Sequence, residues 1–139
     1  MKLSNNFKLN ELIYSSTAEA NNIDNYPSNQ VKDNLIRLCV NILQPIRYQY
    51  GKPIFINSGY RSPILNRKIG GVPTSYHCSG DAADITTGNR ETNKELFDLI
   101  VQMIKDKDIV VGELIDEHNY KWIHISNPVK EKNEILHLK

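Results

Sequence analysis

Only two cysteines occur among the 139 residues, and they form no CxxC pair. That excludes a disulfide framework, which in small secreted domains takes roughly four to eight cysteines, and a zinc site of the CxxC type. Cys39 lies in an amphipathic stretch and Cys78 in a polar loop, and both are expected as free thiols. An excess of one charge is also missing: 17 Lys plus Arg against 16 Asp plus Glu leave a formal net charge of +1. No nucleic-acid partner is expected without a basic surplus. No apolar run approaches the ~18 residues that span a bilayer, so membrane insertion is not expected either. The stretch MKLSNNFKLNELIY has no apolar core of signal-peptide length, and synthesis in the cytoplasm is expected. Repeats, low-complexity tracts and linkers are absent. What is present, 40% hydrophobic and 24% charged residues, is ordinary for a folded domain, and residues 1–139 read as one.

Residues 1–27 read as short helices and turns, with Leu9, Leu12 and Ile13 as a small apolar patch and Ser16 or Thr17 capping a second turn. Ser28 caps the strongest helix, in which Val31, Leu35, Leu38, Cys39, Ile42, Leu43 and Ile46 recur at the roughly 3.6-residue helical period. Pro45 inside that pattern predicts a kink or restart, and Gly51 the end. Residues 54–56 read as a short strand. Ser62-Pro63 starts a helix to about Ile69, closed by Gly70-Gly71 as backbone punctuation. Residues 72–80 read as loop and 82–85 as a brief strand. Thr92 or Asn93 starts a helix through about Lys107, with Leu96, Leu99, Ile100, Met103 and Ile104 on one face. Residues 110–115 and Trp122–Ser126 predict a hairpin, and Glu134–Leu138 a last strand. Helices first, then strands with one helix among them, predict a single α+β domain: N-terminal helices packed on a small antiparallel sheet.

Side chains able to do chemistry gather in two runs. In HCSGDAAD, His77 and Asp84 are too far apart for one helical face and too close for two independent elements. A loop entering a strand can bring both to one point, with Gly80, Ala82 and Ala83 leaving room for close approach. In KWIHIS, an extended strand places Trp122, His124 and Ser126 on one face and Ile123 and Ile125 on the other. The isoleucines belong in the core, so His124 faces away from it, and Trp122 beside it reads as a wall of a substrate cleft. Two histidines and a carboxylate suit a catalytic zinc site with three protein ligands and one open position. Proton transfer then needs a further group, for which Glu113, Asp116 and Glu117 are candidates. On spacing alone, the same histidines and aspartate also read as loop, cap and sheet residues.

The run SGYRSPILNRKIGGVPTSYHCSGDAADI, residues 58–85, closely resembles the core of the zinc D,D-peptidase family. That family includes D-Ala-D-Ala carboxypeptidases, phage endolysin peptidases and, as a distant fold relative, the hedgehog signalling domain. Its SGYRS segment, N-x-x-x-GG turn, S-x-H-x-x-G-x-A-x-D loop and W-x-H-x-S strand occur in order at residues 58–62, 66–71, 75–84 and 122–126. The likeness extends over the N-terminal helices and so over nearly the whole chain.

The resemblance implies a hedgehog/D,D-peptidase-like fold holding one Zn2+ per chain through His77, Asp84 and His124. It makes Arg61 a catalytic and substrate-binding residue whose guanidinium pairs with a carboxylate or holds a carbonyl. Ser75 becomes a polar contact of the substrate or of the first ligand, and Glu117 the general base. In one respect the chain departs from the pattern. Some branches carry the base as E-x-x-H, and the matching position here is Lys121, which cannot serve. In the branch this chain is most like, the glutamate lies across the hairpin loop. The implied function is zinc-dependent hydrolysis of peptidoglycan stem or cross-link peptides by a monomer. It takes the form of a D,D-carboxypeptidase or an endopeptidase, such as an endolysin reaching the wall after release. The alternative is a non-catalytic zinc-containing module that binds peptide or cell wall. Arg61 has a structural alternative in an ion pair with Asp84 or Asp81. His118 reads as an oxyanion stabiliser or a plain loop residue. Cys78 is expected to point away from the metal if its loop is extended, with a fourth ligand that closes the site as the alternative, and His137 to have no role.

Overall fold

In the computed structural model, which describes residues 1–138, Lys2–Ser4 (β1) and Phe7–Lys8 (β2) form a short antiparallel hairpin where helices and turns were expected. Two such short strands are invisible to periodicity; they hold because Leu3 and Phe7 are buried and because Gln44 Oε1 accepts from Ser4 Oγ at 2.7 Å and Asn6 N at 2.8 Å. Leu9–Ile13 (α1) follows, with Leu9 and Leu12 buried, and then Ser16–Ala20 (α2). The α2 cap is Ser15, whose Oγ accepts from Ala18 N, rather than Ser16 or Thr17.

Ser28 caps Asn29–Leu38 (α3) as expected. The disturbance predicted at Pro45 lies just before it. Pro45 has no N–H to donate backwards, and the backbone widens into a π-helical turn over Cys39–Leu43, with Gln44 N donating to Cys39 O. Gln44–Tyr50 (α4) restarts the helix and ends at Gly51. Phe55–Ser58 (β3) leads to Pro63–Lys68 (α5), capped by Ser62. The segment expected as loop contains one 3-10 turn, Tyr76–Ser79, before Ala82–Thr86 (β4). Arg90–Lys105 (α6) starts earlier than expected because Asn89 is its cap. Glu113–Glu117 (β5), Trp122–Ser126 (β6) and Glu134–Leu138 (β7) complete the chain.

The larger sheet has the order β3-β4-β6-β5-β7. Its first four strands are antiparallel, with Asp84 opposite His124, Ile115 opposite His124 and Glu117 opposite Trp122. The expectation of an antiparallel sheet needs one correction: β7 joins the far edge of β5 in parallel, so the sheet is mixed. Residues 127–133 step past the start of β5, where Asn133 N donates to Val111 O and Glu134 N to Gly112 O. The architecture is otherwise the α+β domain expected.

One face of this sheet is the core. Ile85, Leu114, Ile123 and Ile125 meet Leu35, Leu38, Ile42 and Ile46 of the N-terminal helical layer and Leu96 and Ile100 of α6, all of them fully buried. Each contributes about 1.5–3 kcal/mol by leaving water, before the entropy of ordering is counted. Alternation along the strands then sends Asp84, Glu113, Ile115, Glu117, Trp122 and His124 to the opposite face. Among the described residues no helix is long and apolar enough to cross a membrane.

Candidate metal centre

On that opposite face His77, Asp84 and His124 converge, offering three ligand atoms all within 4.8 Å of one another. Asp84 Oδ1 lies between the rings, 3.2 Å from His77 Nε2 and 3.0 Å from His124 Nδ1. Three different elements deliver them: the 3-10 turn, β4 and β6. His77 is the most constrained. Its Nδ1–H donates to Gly59 O at 2.7 Å, which leaves Nε2 to face the cluster. The His77 carbonyl accepts from Arg61 N, and its own N–H donates to Ser75 Oγ at 3.2 Å. Gly59 is required here: a Cβ at that position would sit 2.2 Å from Leu12 O.

The electrostatics follow from this packing. Burial works against a charged Asp84, but hydrogen bonds from His124 and His77 overcome it and hold the carboxyl well below the usual carboxylate range. Burial likewise works against a charged His124, yet carboxylates at both ring nitrogens push it up to about 9. Two imidazole nitrogens and a carboxylate oxygen are the donor set a divalent zinc ion takes, and a metal bound there displaces the protons now shared among them. The fourth side opens into a cleft of about 810 Å³ whose walls include Arg61, Ser75, Glu113, Glu117, His118 and Trp122. The residues present therefore fit a three-ligand site with an open position.

The three carboxylates that sequence left as candidates separate cleanly. Asp116 faces away from the cleft, buried, and pairs with His137 Nδ1 at the edge strand. That pair, with the ring of His137 against Phe97, gives His137 the structural role not expected of it. Glu113 Oε1 lies 3.3 Å from His124 Nε2, on the side of the ring away from Asp84. Glu117 ends β5 at the cleft, its Oε2 accepting from Trp122 Nε1 at 3.1 Å. Lys121, in the E-x-x-H position, is exposed in the turn.

Arg61 lines the cleft without an ion pair to Asp84 or Asp81. Its Nε is buried and unpartnered among the described residues, while Nη1 reaches only to Asn66 Oδ1 at 3.4 Å. Gly71 is more than punctuation, since a Cβ there would lie 2.1 Å from Asn66 Oδ1 and 3.2 Å from Arg61 Nη1. Ser75 spends its hydroxyl as the cap of the 3-10 turn, beside the cleft. His118 packs its ring 4.7 Å from that of Trp122. Cys78 lies outside the cluster of ligand atoms.

Some supporting residues gave no signal in the sequence. Asn25 is buried, donates to Ile13 O and Tyr60 O, and accepts from Ser62 N, tying the N-terminal helices to the Arg61 segment. Tyr76 OH donates to Glu131 Oε2 at 2.6 Å and fastens residues 127–133 beside the cleft. Each is a polar residue in a loop by sequence, and only tertiary contact gives it a partner.

A three-donor site on the solvent side of a sheet, open to a cleft and with a carboxylate at its rim, has the layout of the class of mononuclear zinc sites with an open fourth position. Within that class, residues 5–126 match the family model described as Peptidase M15, and the chain belongs to that family. The chain is also similar to the zinc D-Ala-D-Ala carboxypeptidase of Streptomyces albus G, with 43% identity over 49 residues, which is 34% of this chain and 19% of that protein. It thus matches about a fifth of that relative's length.

Proposed function

We propose that the protein is a zinc-dependent peptidase that hydrolyses stem or cross-link peptides of peptidoglycan, as a D,D-carboxypeptidase or an endopeptidase. The observation that carries the reading is the His77–Asp84–His124 cluster at the base of a cleft that also holds Glu117 and Arg61. The family match and the D-Ala-D-Ala carboxypeptidase activity for which the Streptomyces relative is named support it. Every residue the site needs comes from one chain, in keeping with a monomer. As an endolysin it would be made in the cytoplasm and meet the wall after release.

Zinc held by His77, Asp84 and His124 would polarise the scissile carbonyl and lower the pKa of the attacking water. Glu117 takes the proton that this water loses and returns it to the leaving amine, so that one carboxylate serves as base and then as acid. The indole N–H of Trp122 fixes the Glu117 carboxylate against the cleft wall. The Arg61 guanidinium holds a peptide carboxylate or carbonyl of the substrate. His77 and His124 would hold the ion through the nitrogens that face the cluster, their other nitrogens facing Gly59 O and Glu113 Oε1.

The test is digestion of defined muropeptides, read by mass spectrometry with and without chelator. Glu117→Gln is expected to bind zinc as the parent does and to lose about 10²–10⁴-fold in turnover. Cutting that persists in chelator would sink the zinc mechanism, and full activity in Glu117→Gln would move the base elsewhere. The bond cut assigns carboxypeptidase or endopeptidase.

A further inference from the structure

The geometry points to Glu113 as a positioning residue of the metal centre: its carboxylate receives the Nε2–H of His124 and so commits Nδ1 to the metal. This rests on the zinc reading above, but on its binding half only. The imidazole nitrogens of His124 lie on opposite sides of the ring, and each faces a carboxylate: Nδ1 is 3.0 Å from Asp84 Oδ1 and Nε2 is 3.3 Å from Glu113 Oε1. Only the first faces His77 and the cluster. His77 is fixed in the reverse sense, with Nδ1–H given to Gly59 O and Nε2 presented to the cluster. The two histidines therefore use different nitrogens, and each choice is enforced by what holds the other nitrogen.

The partners differ in kind. A backbone carbonyl orients His77, whereas a charged carboxylate orients His124 and also makes the ring a stronger donor. Glu113 is set for this by its strand. Its own N–H donates to the Oγ of the fully buried Ser126 at 2.9 Å, and its side chain is only 19% exposed. The same engagement separates it from Glu117, whose carboxylate stands at the cleft beside Trp122. One strand thus carries two glutamates on one face with divided work, Glu113 behind a ligand and Glu117 toward substrate.

The experiment measures zinc affinity by competition with a chromophoric chelator for the parent, Glu113→Gln and Glu113→Ala. Glu113→Ala is expected to bind zinc roughly 10–100-fold more weakly. Glu113→Gln, whose amide oxygen still accepts from Nε2–H, should fall between it and the parent. Nitrogen-15 spectra of the zinc-loaded parent should show His124 protonated at Nε2. Metal-free circular dichroism checks folding, and the spectra of the parent stand if Glu113→Ala does not fold. Parent-like affinity in both variants, or a proton on Nδ1 of His124, overturns the assignment. Tight zinc binding without cleavage of any muropeptide would sink the peptidase reading and leave Glu113 in place; a parent that binds no zinc would sink both.

Discussion

Cys39 and Cys78 share a residue type and differ in every condition that governs reactivity. The reactive species is the thiolate. Burial pushes the Cys39 thiol up to about 12, with the charge of Glu11 adding to it, and the side chain is fully enclosed in the core. Burial also raises the Cys78 thiol, but Arg61 works the other way and the residue is half-buried. At pH 8 a thiol reagent should add once to the native protein, at Cys78, and a second time only in denaturant; intact-mass spectrometry counts the adducts. Equal labelling of both in the native state would contradict the packing around Cys39. The same scale shows why sequence could name some site residues and not sort others. His77, Asp84 and His124 carry fixed spacings within single short runs, and the strand phase of Ile123 and Ile125 placed His124 outside the core. Strand phase could not separate Glu113, Asp116 and Glu117, because the strand was expected over 110–115, and only the resemblance singled out Glu117. Once it runs from Glu113 to Glu117, alternation alone puts Glu113 and Glu117 on the cleft face and Asp116 behind.

Between elements, the polar side chains in the gaps decide register and turn shape. The β5–β6 hairpin turns through His118, Asn119 and Tyr120, three successive non-glycine residues in the left-handed region. Such a conformation costs about 1–2 kcal/mol per residue and persists only if neighbouring contacts impose it. Asn93 of α6 is one of them. Fully buried, it donates through Nδ2 to Tyr120 O at 2.9 Å and Lys121 O at 3.1 Å, while its Oδ1 accepts from Thr87 N at 2.7 Å. The sequence suggested that Thr92 or Asn93 starts the helix; Asn89 caps it instead, and Asn93 holds the turn that separates Glu117 from Trp122. Asn93→Ala takes this partner from the half-buried Thr87 N–H and from the Tyr120 and Lys121 carbonyls and should lower stability by about 1–3 kcal/mol in urea unfolding. Asn93→Asp keeps the acceptor, loses the donor and should also destabilise. Losses under about 0.5 kcal/mol in both would mean the turn is held by something else. Strand direction was the other feature beyond local reading: Glu134–Leu138 was recognisable as a strand, but only residues 127–133, passing the start of β5, make it parallel.

For the whole molecule, the metal centre joins a 3-10 turn to two strands, β4 and β6, that already pair along their length. His77 belongs to a turn tied to the β3–α5 segment, Asp84 to β4 and His124 to β6, so an ion held by all three binds the folded state and has no matching site in the unfolded chain. Linkage then requires that zinc raise stability by RT ln(1 + [Zn]/Kd), about 2.7 kcal/mol when free zinc is a hundredfold above Kd. For a chain of this size that corresponds to a rise in Tm of roughly 5–11 °C. Thermal melts followed by circular dichroism, with zinc buffered at set free concentrations, should show Tm climbing with the logarithm of free zinc and falling back on chelation. His124→Ala should fold, because the ring lies on the cleft face and not among the core side chains, and its Tm should be nearly insensitive to zinc. A zinc-induced shift of the same size in His124→Ala would place the ion elsewhere on the protein. A parent that binds one zinc without any rise in Tm would mean the unfolded chain holds the ion equally well, and the cluster would then contribute nothing to holding turn, β4 and β6 together.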